Sequence, residues 1–255
     1  MKKLGLKLFN IVTACILVMI LLPKNAAADT SSDIYTTPKI NGFTYDMKSM
    51  VWSRSNSNKV TLEAVAYIEA SKNVDPGYMG AQARLYTSKG ELWTASAMKY
   101  NTTKVAGIYA YSPTATAKDT YYALTYGDFY TGDGYRTFFG YKSPNMSMPS
   151  SKYISEIEYS QEILTLMTEE YAVNNNGETY GSSFSEFTEG EAPDLISAIG
   201  VNGVKGYIKS SDLAPKFTIP EEAITYTQSR SYINIIPVYD LDGITVLDDF
   251  ELINY

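Results

Sequence analysis

Hydrophobic and polar residues alternate along much of the chain between residues 42 and 142. Val60–Ala70 places apolar side chains at every second position, which is typical of a strand with one buried and one exposed face. The spacing returns at Met79–Leu85, Leu92–Lys99, Val105–Tyr111, Thr120–Tyr130 and Tyr135–Tyr141. Because no helical spacing intervenes, the pattern predicts an antiparallel β-sandwich over residues 42–142.

The rest of the chain shows a different organisation. Residues 29–41 are polar and predict a flexible leader, and residues 143–169 predict a linker in which Ile154, Ile157, Leu164 and Met167 have helical spacing. Residues 170–255 return to strands, with turns at 175–177, 201–203 and 240–243. A short helix is expected near Pro220, with Thr218 as its cap. The fold class predicted is therefore mainly β: an antiparallel β-sandwich followed by a smaller β-rich module with one or two short helices.

Residues 1–28 have the features of a secretory signal peptide. Three lysines precede the apolar stretch Leu8–Leu22, and Ala26–Ala28 supplies small residues for cleavage. The stretch is short for a membrane span. Cys15 sits in a string resembling a lipoprotein cleavage box, but most of the apolar run follows it, so ordinary secretion is favoured and lipidation of Cys15 stays open. The predicted location is extracellular, with cell-wall association as one destination.

The charge balance limits the partners. The chain has 21 basic and 28 acidic residues, and four of the lysines lie before residue 29. Cleavage would leave 17 basic and 28 acidic residues, a net charge of −11. Such an acidic protein is repelled by phosphate backbones and anionic lipid. We therefore expect no nucleic-acid partner and no direct membrane insertion after signal cleavage.

Residue counts also limit the chemistry. Histidine is absent and Cys15 is the single cysteine, which excludes a Ser-His-Asp triad, a Cys-His pair and a zinc site built on imidazole or thiolate in the mature chain. Ser96-Ala97-Met98-Lys99 matches a Ser-x-x-Lys motif, but in a strand residues three apart point to opposite faces. A hydrolase that uses two carboxylates stays open as an alternative. Glu186, Glu189, Glu191 and Asp194 form an acidic loop, although such a run of charges is usually a solvated face.

Tyrosine is the main compositional excess, with 23 residues against two tryptophans. Nine tyrosines lie between Tyr100 and Tyr141. They suit an aromatic platform for sugar rings or a peptide, but cross-strand packing explains the same enrichment and is favoured here. Trp52 and Trp93 are expected to be core residues.

One cluster has the chemistry of a calcium site. Asp240, Asp242, Asp248 and Asp249 offer carboxylate oxygens close together in sequence, and calcium prefers oxygen ligands. The spacing does not match an EF-hand loop, and aspartates that serve a hairpin turn are the favoured interpretation. Calcium is the one cofactor suggested by the sequence.

The C-terminal third carries strings with a recognisable order. They are Asn176–Gly181, Pro193–Gly200, Gly206–Ile208, Ser211–Leu213, Pro220–Ala223 and Ile236–Gly243. Over residues 170–255 the chain resembles an extracytoplasmic module of secreted proteins from Gram-positive bacteria, sometimes attached to antirepressor-type metallopeptidase sensors. The resemblance implies an extracytoplasmic place and a sensing or binding context. It implies no activity, because a HExxH site needs histidine.

Together these observations predict a secreted, non-enzymatic bacterial protein that binds a cell-envelope glycan or a protein partner. The alternatives are the two-carboxylate hydrolase and a secreted antagonism or immunity factor.

Overall fold

The computed structural model describes residues 29–56, 59–148, 170–182, 192–229 and 232–254. Three predicted features lie outside them: the signal peptide, the helix suggested by Ile154–Met167, and the acidic residues Glu186, Glu189 and Glu191. The strands are β1 (Thr30–Ser31), β2 (Tyr35–Thr36), β3 (Tyr45–Asn56), β4 (Lys59–Val74), β5 (Met79–Thr87), β6 (Leu92–Ser96), β7 (Lys99–Tyr100), β8 (Val105–Tyr111), β9 (Thr120–Tyr130), β10 (Tyr135–Phe139), β11 (Met146–Ser147), β12 (Ala172–Val173), β13 (Thr179–Gly181), β14 (Leu195–Ile199), β15 (Lys205–Lys209), β16 (Ile233–Tyr239) and β17 (Val246–Ile253). The helices are α1 (Ser210–Leu213) and α2 (Pro220–Ser229).

The strands form two sheets. The first has five strands in the order β1-β3-β4-β8, with β2 also paired to β3, and all its pairings are antiparallel. The second runs β10-β9-β5-β6-β17-β16-β15-β14-β13-β12, with β7 on β5 and β11 on β9. The predicted mainly β fold is confirmed.

Strands β5 and β9 are buried on both faces because they lie between two cores. Their odd-numbered residues, such as Ala81, Ala83 and Phe129, pack against the five-stranded sheet. Their even-numbered residues, such as Tyr86 and Tyr126, belong to a second core shared with β14–β17 and both helices. Alternate side chains of β5 and β9 therefore enter two different cores.

Strand β6 closes the second sheet into a ring of five strands. One edge of β6 pairs antiparallel with β5, and the other edge pairs in parallel with β14 at Leu92 and with β17 at Ala95 and Ser96. The antiparallel pairs β14–β15, β15–β16 and β16–β17 complete the circle, and the connection from β15 to β16 contains both helices. Residues 92–96 therefore hydrogen-bond to strands from both halves of the chain, and the domain boundaries placed at residues 142 and 170 stay predictions.

Most element predictions agree with the structure, and three need correction. Residues 29–41, expected as a flexible leader, form β1 and β2, which both pair with β3. The segment expected as one strand over Leu92–Lys99 is divided, because Ala97 leaves β6 to donate its N–H to the Ile253 carbonyl before β7 pairs with β5. Thr218 precedes α2 as expected, but its N–H and hydroxyl both donate to the Glu222 carboxylate rather than the hydroxyl capping a backbone N–H. In the described ranges, no helix has the length and apolar character needed to cross a membrane.

Candidate binding face on the five-stranded sheet

The five-stranded sheet has one face on the core and one face turned away from it. Even-numbered residues of β4 and β8, such as Ile68 and Ile108, enter the core. The odd-numbered residues of these strands therefore lie on the outer face, as do the even-numbered residues of β3. Four aromatic side chains share this face, and we call them the aromatic row: Trp52, Tyr67, Tyr109 and Tyr111.

Each ring of the aromatic row contacts the next. Tyr67 and Tyr109 are directly opposite on β4 and β8, with ring centroids 4.5 Å apart and planes at 29°. Tyr109 and Tyr111 lie 6.1 Å apart with planes at 12°. Trp52 reaches from β3 to Tyr111, at 5.7 Å and 55°. The aromatic row therefore extends across three strands.

Glycine and valine explain how these rings lie. A β-carbon on Gly107 would be 3.4 Å from the Tyr67 ring, so that ring lies over the bare backbone of β8. Tyr109 stacks on Tyr67 and keeps 41% of its surface exposed. Val65 is on the outer face, opposite Tyr111, yet it is only 1% exposed. The side chains of the outer face thus pack over one another and leave the Tyr109 ring partly exposed to solvent.

Charged groups border the aromatic row at both ends. At the Trp52 end, Arg54 lies 4.4 Å from the indole centroid and its Nε is 3.2 Å from Glu63 Oε1. Burial raises the pKa of Glu63, although Arg54 acts in the opposite direction. At the other end, the Tyr67 hydroxyl donates to Glu69 Oε2 at 2.9 Å. Burial and this carboxylate raise the pKa of Tyr67 to about 12.

Most of the other tyrosines are packing residues, as the favoured interpretation predicted. Tyr45 stacks on Phe129 at 3.9 Å, and Tyr86 stacks on Tyr122 at 5.4 Å, all of them buried. Trp93 packs against the core as predicted, whereas Trp52 belongs to the outer face. The alternation of apolar and polar residues did not distinguish core aromatic residues from those of the outer face, because the pattern of β3 does not change at Trp52.

A buried carboxylate lies on the other side of the molecule. Asp128 is 6% exposed and accepts hydrogen bonds from the Tyr100 hydroxyl at 2.6 Å and the Thr137 hydroxyl at 3.0 Å. Burial raises the pKa of Asp128, against these hydrogen bonds and the Lys216 charge. Gly80 pairs with both Asp128 and Tyr100, and its missing side chain lets the Tyr100 ring cross to the carboxylate. This buried carboxylate was not predicted from the sequence, although an aspartate inside the alternating pattern of β9 is a signal for a buried charge.

Two of the four aspartates proposed for calcium belong to the β16–β17 turn. Asp240 accepts the Leu241 N–H at 2.7 Å. Asp242 accepts the N–H groups of Ile244 and Thr245, both at 2.8 Å, and the Thr245 hydroxyl. These bonds lower the pKa of Asp242. Its carboxylate closes the turn, as the turn interpretation expects.

The other two aspartates point in different directions. Asp248 turns inward and accepts bonds from the Asn202 amide side chain, its N–H and the N–H of Asp249. Burial acts to raise the pKa of Asp248, but these bonds hold it below its ordinary value. Asp249 is exposed opposite Pro237. Among the residues that the structure describes, no three Asp, Glu, His or Cys side chains form a group able to hold a metal ion, and the calcium site stays a prediction.

Two turns of the C-terminal third of the chain contact each other. Asn174 and Asn176 donate their side-chain amides to the carbonyls of Leu241 and Asp242, at 2.8 and 2.7 Å. The turn at 174–177 and the turn at 240–243 are thereby joined. Of the acidic run, Asp194 lies in the described residues and accepts the Thr179 N–H and hydroxyl. Ser96 of the Ser-x-x-Lys motif is buried, and its hydroxyl accepts the Ala83 N–H.

Comparisons with protein-family models, curated proteins and solved structures found no match. The resemblance of residues 170–255 to an extracytoplasmic module therefore stays a prediction.

Proposed function

We propose that the protein is a secreted, non-enzymatic binding protein that attaches to cell-envelope glycan through the aromatic row. The observation that carries the proposal is the line of mutually contacting aromatic rings on the outer face of a sheet whose other face is core. Secretion follows from the predicted signal peptide over residues 1–28.

Aromatic rings suit sugars for a physical reason. A pyranose ring has an apolar face of C–H groups, and an aromatic side chain buries that face at small entropic cost because it has few rotatable bonds. Sugar hydroxyls then need hydrogen-bond partners at the rim. Arg54, Glu63 and Glu69 supply donors and acceptors at the two ends of the aromatic row. A rigid sheet holds these groups in place before the ligand arrives.

The first test is co-sedimentation of the purified protein with cell-wall sacculi. Tyr109→Ala removes the outermost ring, and we expect the affinity to fall at least about tenfold, as for a central aromatic contact. Tyr141→Ala is the matched control: Tyr141 is 51% exposed but contacts Tyr35 rather than the aromatic row, and its loss should leave sedimentation unchanged.

Two results would refute the proposal. Wild-type protein that stays in the supernatant would remove glycan as the ligand and favour a protein partner on the same face, since Trp, Tyr and Arg also dominate protein interfaces. Equal sedimentation of wild type and Tyr109→Ala would show that binding uses another surface.

A further inference from the structure

The charges around the aromatic row indicate which glycans suit it. Along 46–54, 59–69 and 107–111 the outer face carries three acids, Asp46, Glu63 and Glu69, and three cations, Lys48, Arg54 and Lys59, so it has no excess of positive charge. Arg54 is already paired with Glu63. The whole chain is acidic as well, with a net charge of −7. A polyanion requires an excess of cations, and neither the outer face nor the acidic chain as a whole provides one.

The shape of the aromatic row indicates the size of the ligand. Tyr109, Tyr111 and Trp52 contact one another in sequence from β8 over β4 to β3. This arrangement is a line of rings along a sheet face, in which Tyr109 is exposed and Trp52 and Tyr111 are half-buried, whereas a small ligand is usually enclosed in a concave site. A single sugar would contact only one of these rings. Several consecutive sugar rings would cover the whole line and bury much more apolar surface.

We infer that the ligand of the aromatic row is an uncharged linear polysaccharide whose chain lies across β8, β4 and β3. This inference rests on the proposed glycan-binding function and narrows its ligand class. Envelope polymers rich in phosphate or carboxylate are disfavoured, while chains of neutral or N-acetylated sugars are accepted. The Arg54–Glu63 pair and the Tyr67–Glu69 pair bind hydroxyls at the two ends without a net positive charge.

Affinity electrophoresis separates this inference from the general proposal. The native gels contain a neutral β-glucan, polygalacturonate or poly(glycerol phosphate), and the protein is wild type or Tyr109→Ala. We expect retardation of the wild type in the neutral gel, at least about tenfold weaker for Tyr109→Ala. The neutral binding should change less than about twofold between about 50 mM and 500 mM NaCl, because little of it is electrostatic.

Oligosaccharides test the length dependence. Titration calorimetry with chitin oligomers should show affinity rising at least about tenfold from the disaccharide to the hexasaccharide, because the longer chain contacts more rings. Equal affinity for both lengths would overturn the extended binding mode.

The remaining outcomes distinguish failure of the uncharged-ligand inference from failure of the glycan-binding proposal. Stronger, salt-sensitive retardation in either polyanion gel, lost in Tyr109→Ala, would overturn the uncharged ligand and leave the glycan-binding function standing. Absence of retardation and of sacculus binding would refute both. Asp46→Asn serves as a second variant, because it removes a charge from the outer face without removing a ring or a hydroxyl-binding group, and it should leave neutral binding within about twofold of wild type.

Discussion

Replacing Gly80 by alanine should destabilise the protein far more than one methyl group suggests. A β-carbon at Gly80 would lie 2.7 Å from Tyr100 Cε1 and 2.9 Å from Cδ1. The Tyr100 ring is 1% exposed and is held by edge contacts with Tyr135 and Phe217. Since the ring has no open space to enter, the substitution must displace it from Asp128.

Two costs follow from that displacement. Overpacking of a dense core costs about 1–3 kcal/mol. Loss of the 2.6 Å bond from Tyr100 to Asp128 removes a hydrogen bond to a buried carboxylate, worth about 1.5–3 kcal/mol. Alanine recovers about 0.5–1 kcal/mol because it is less flexible than glycine in the unfolded chain. The expected loss is about 2–5 kcal/mol, or a fall in Tm of about 4–20 °C for a chain of this size.

Urea unfolding followed by aromatic fluorescence measures the effect. Gly107→Ala is the matched control, because this strand glycine also lies beneath a tyrosine ring but its β-carbon would meet Tyr67 at an ordinary 3.4 Å. It should change the free energy of unfolding by less than about 1 kcal/mol. Combining Gly80→Ala with Tyr100→Ala removes the contact, so the alanine at position 80 should then cost little. An unchanged cost in that background, or a loss below about 0.5 kcal/mol in the single variant, would refute the reasoning.

Three further predictions concern titration and calcium. Burial raises the folded-state pKa of Asp128 above 3.8, so its contribution to stability is complete below pH 3.8 and is lost as the pH rises through the folded-state pKa. Between about pH 3 and 7 the free energy of unfolding of Asp128→Asn should therefore decline less than that of wild type. Parallel pH curves for the two proteins would contradict this. Burial lowers the pKa of Lys142 to about 8, so the stability of wild type relative to Lys142→Met should rise between about pH 8 and 10, and a falling difference in denaturant titrations would be the opposite result. Because the Asp242 carboxylate is already hydrogen-bonded within its turn, millimolar calcium should leave the Tm within about 1 °C of its value in chelator, and a larger rise in scanning calorimetry would support the calcium site.

Local pattern was enough to predict most strands. Val105–Tyr111 and Thr120–Tyr130 are strands at the bounds that alternation indicated, because side chains two apart share a face whatever the rest of the chain does. The same holds for the start of α2 at Pro220, whose ring restricts the backbone to a helical φ. These features depend on neighbours within a few residues, which a single sequence displays.

Long-range pairing was not predictable in the same way. The parallel pairing of β6 with β14 joins Leu92 and Ala198, which are far apart along the chain. No local pattern encodes which strand is the neighbour, since many pairings satisfy the same alternation. The β16–β17 turn shows the same limit, because nearby aspartates in sequence became divided between a turn and an inward contact with Asn202.

The sequence by itself determined the strand periodicity, the acidic charge, the absence of histidine chemistry and the excess of tyrosine. These are properties of residue type and spacing. Only the tertiary structure decided which tyrosines are core and which form the aromatic row, and that Tyr100 crosses Gly80 to reach Asp128. The reason is physical: alternation assigns a side chain to one of two faces, but the layer that covers a face is chosen by contacts distant in sequence.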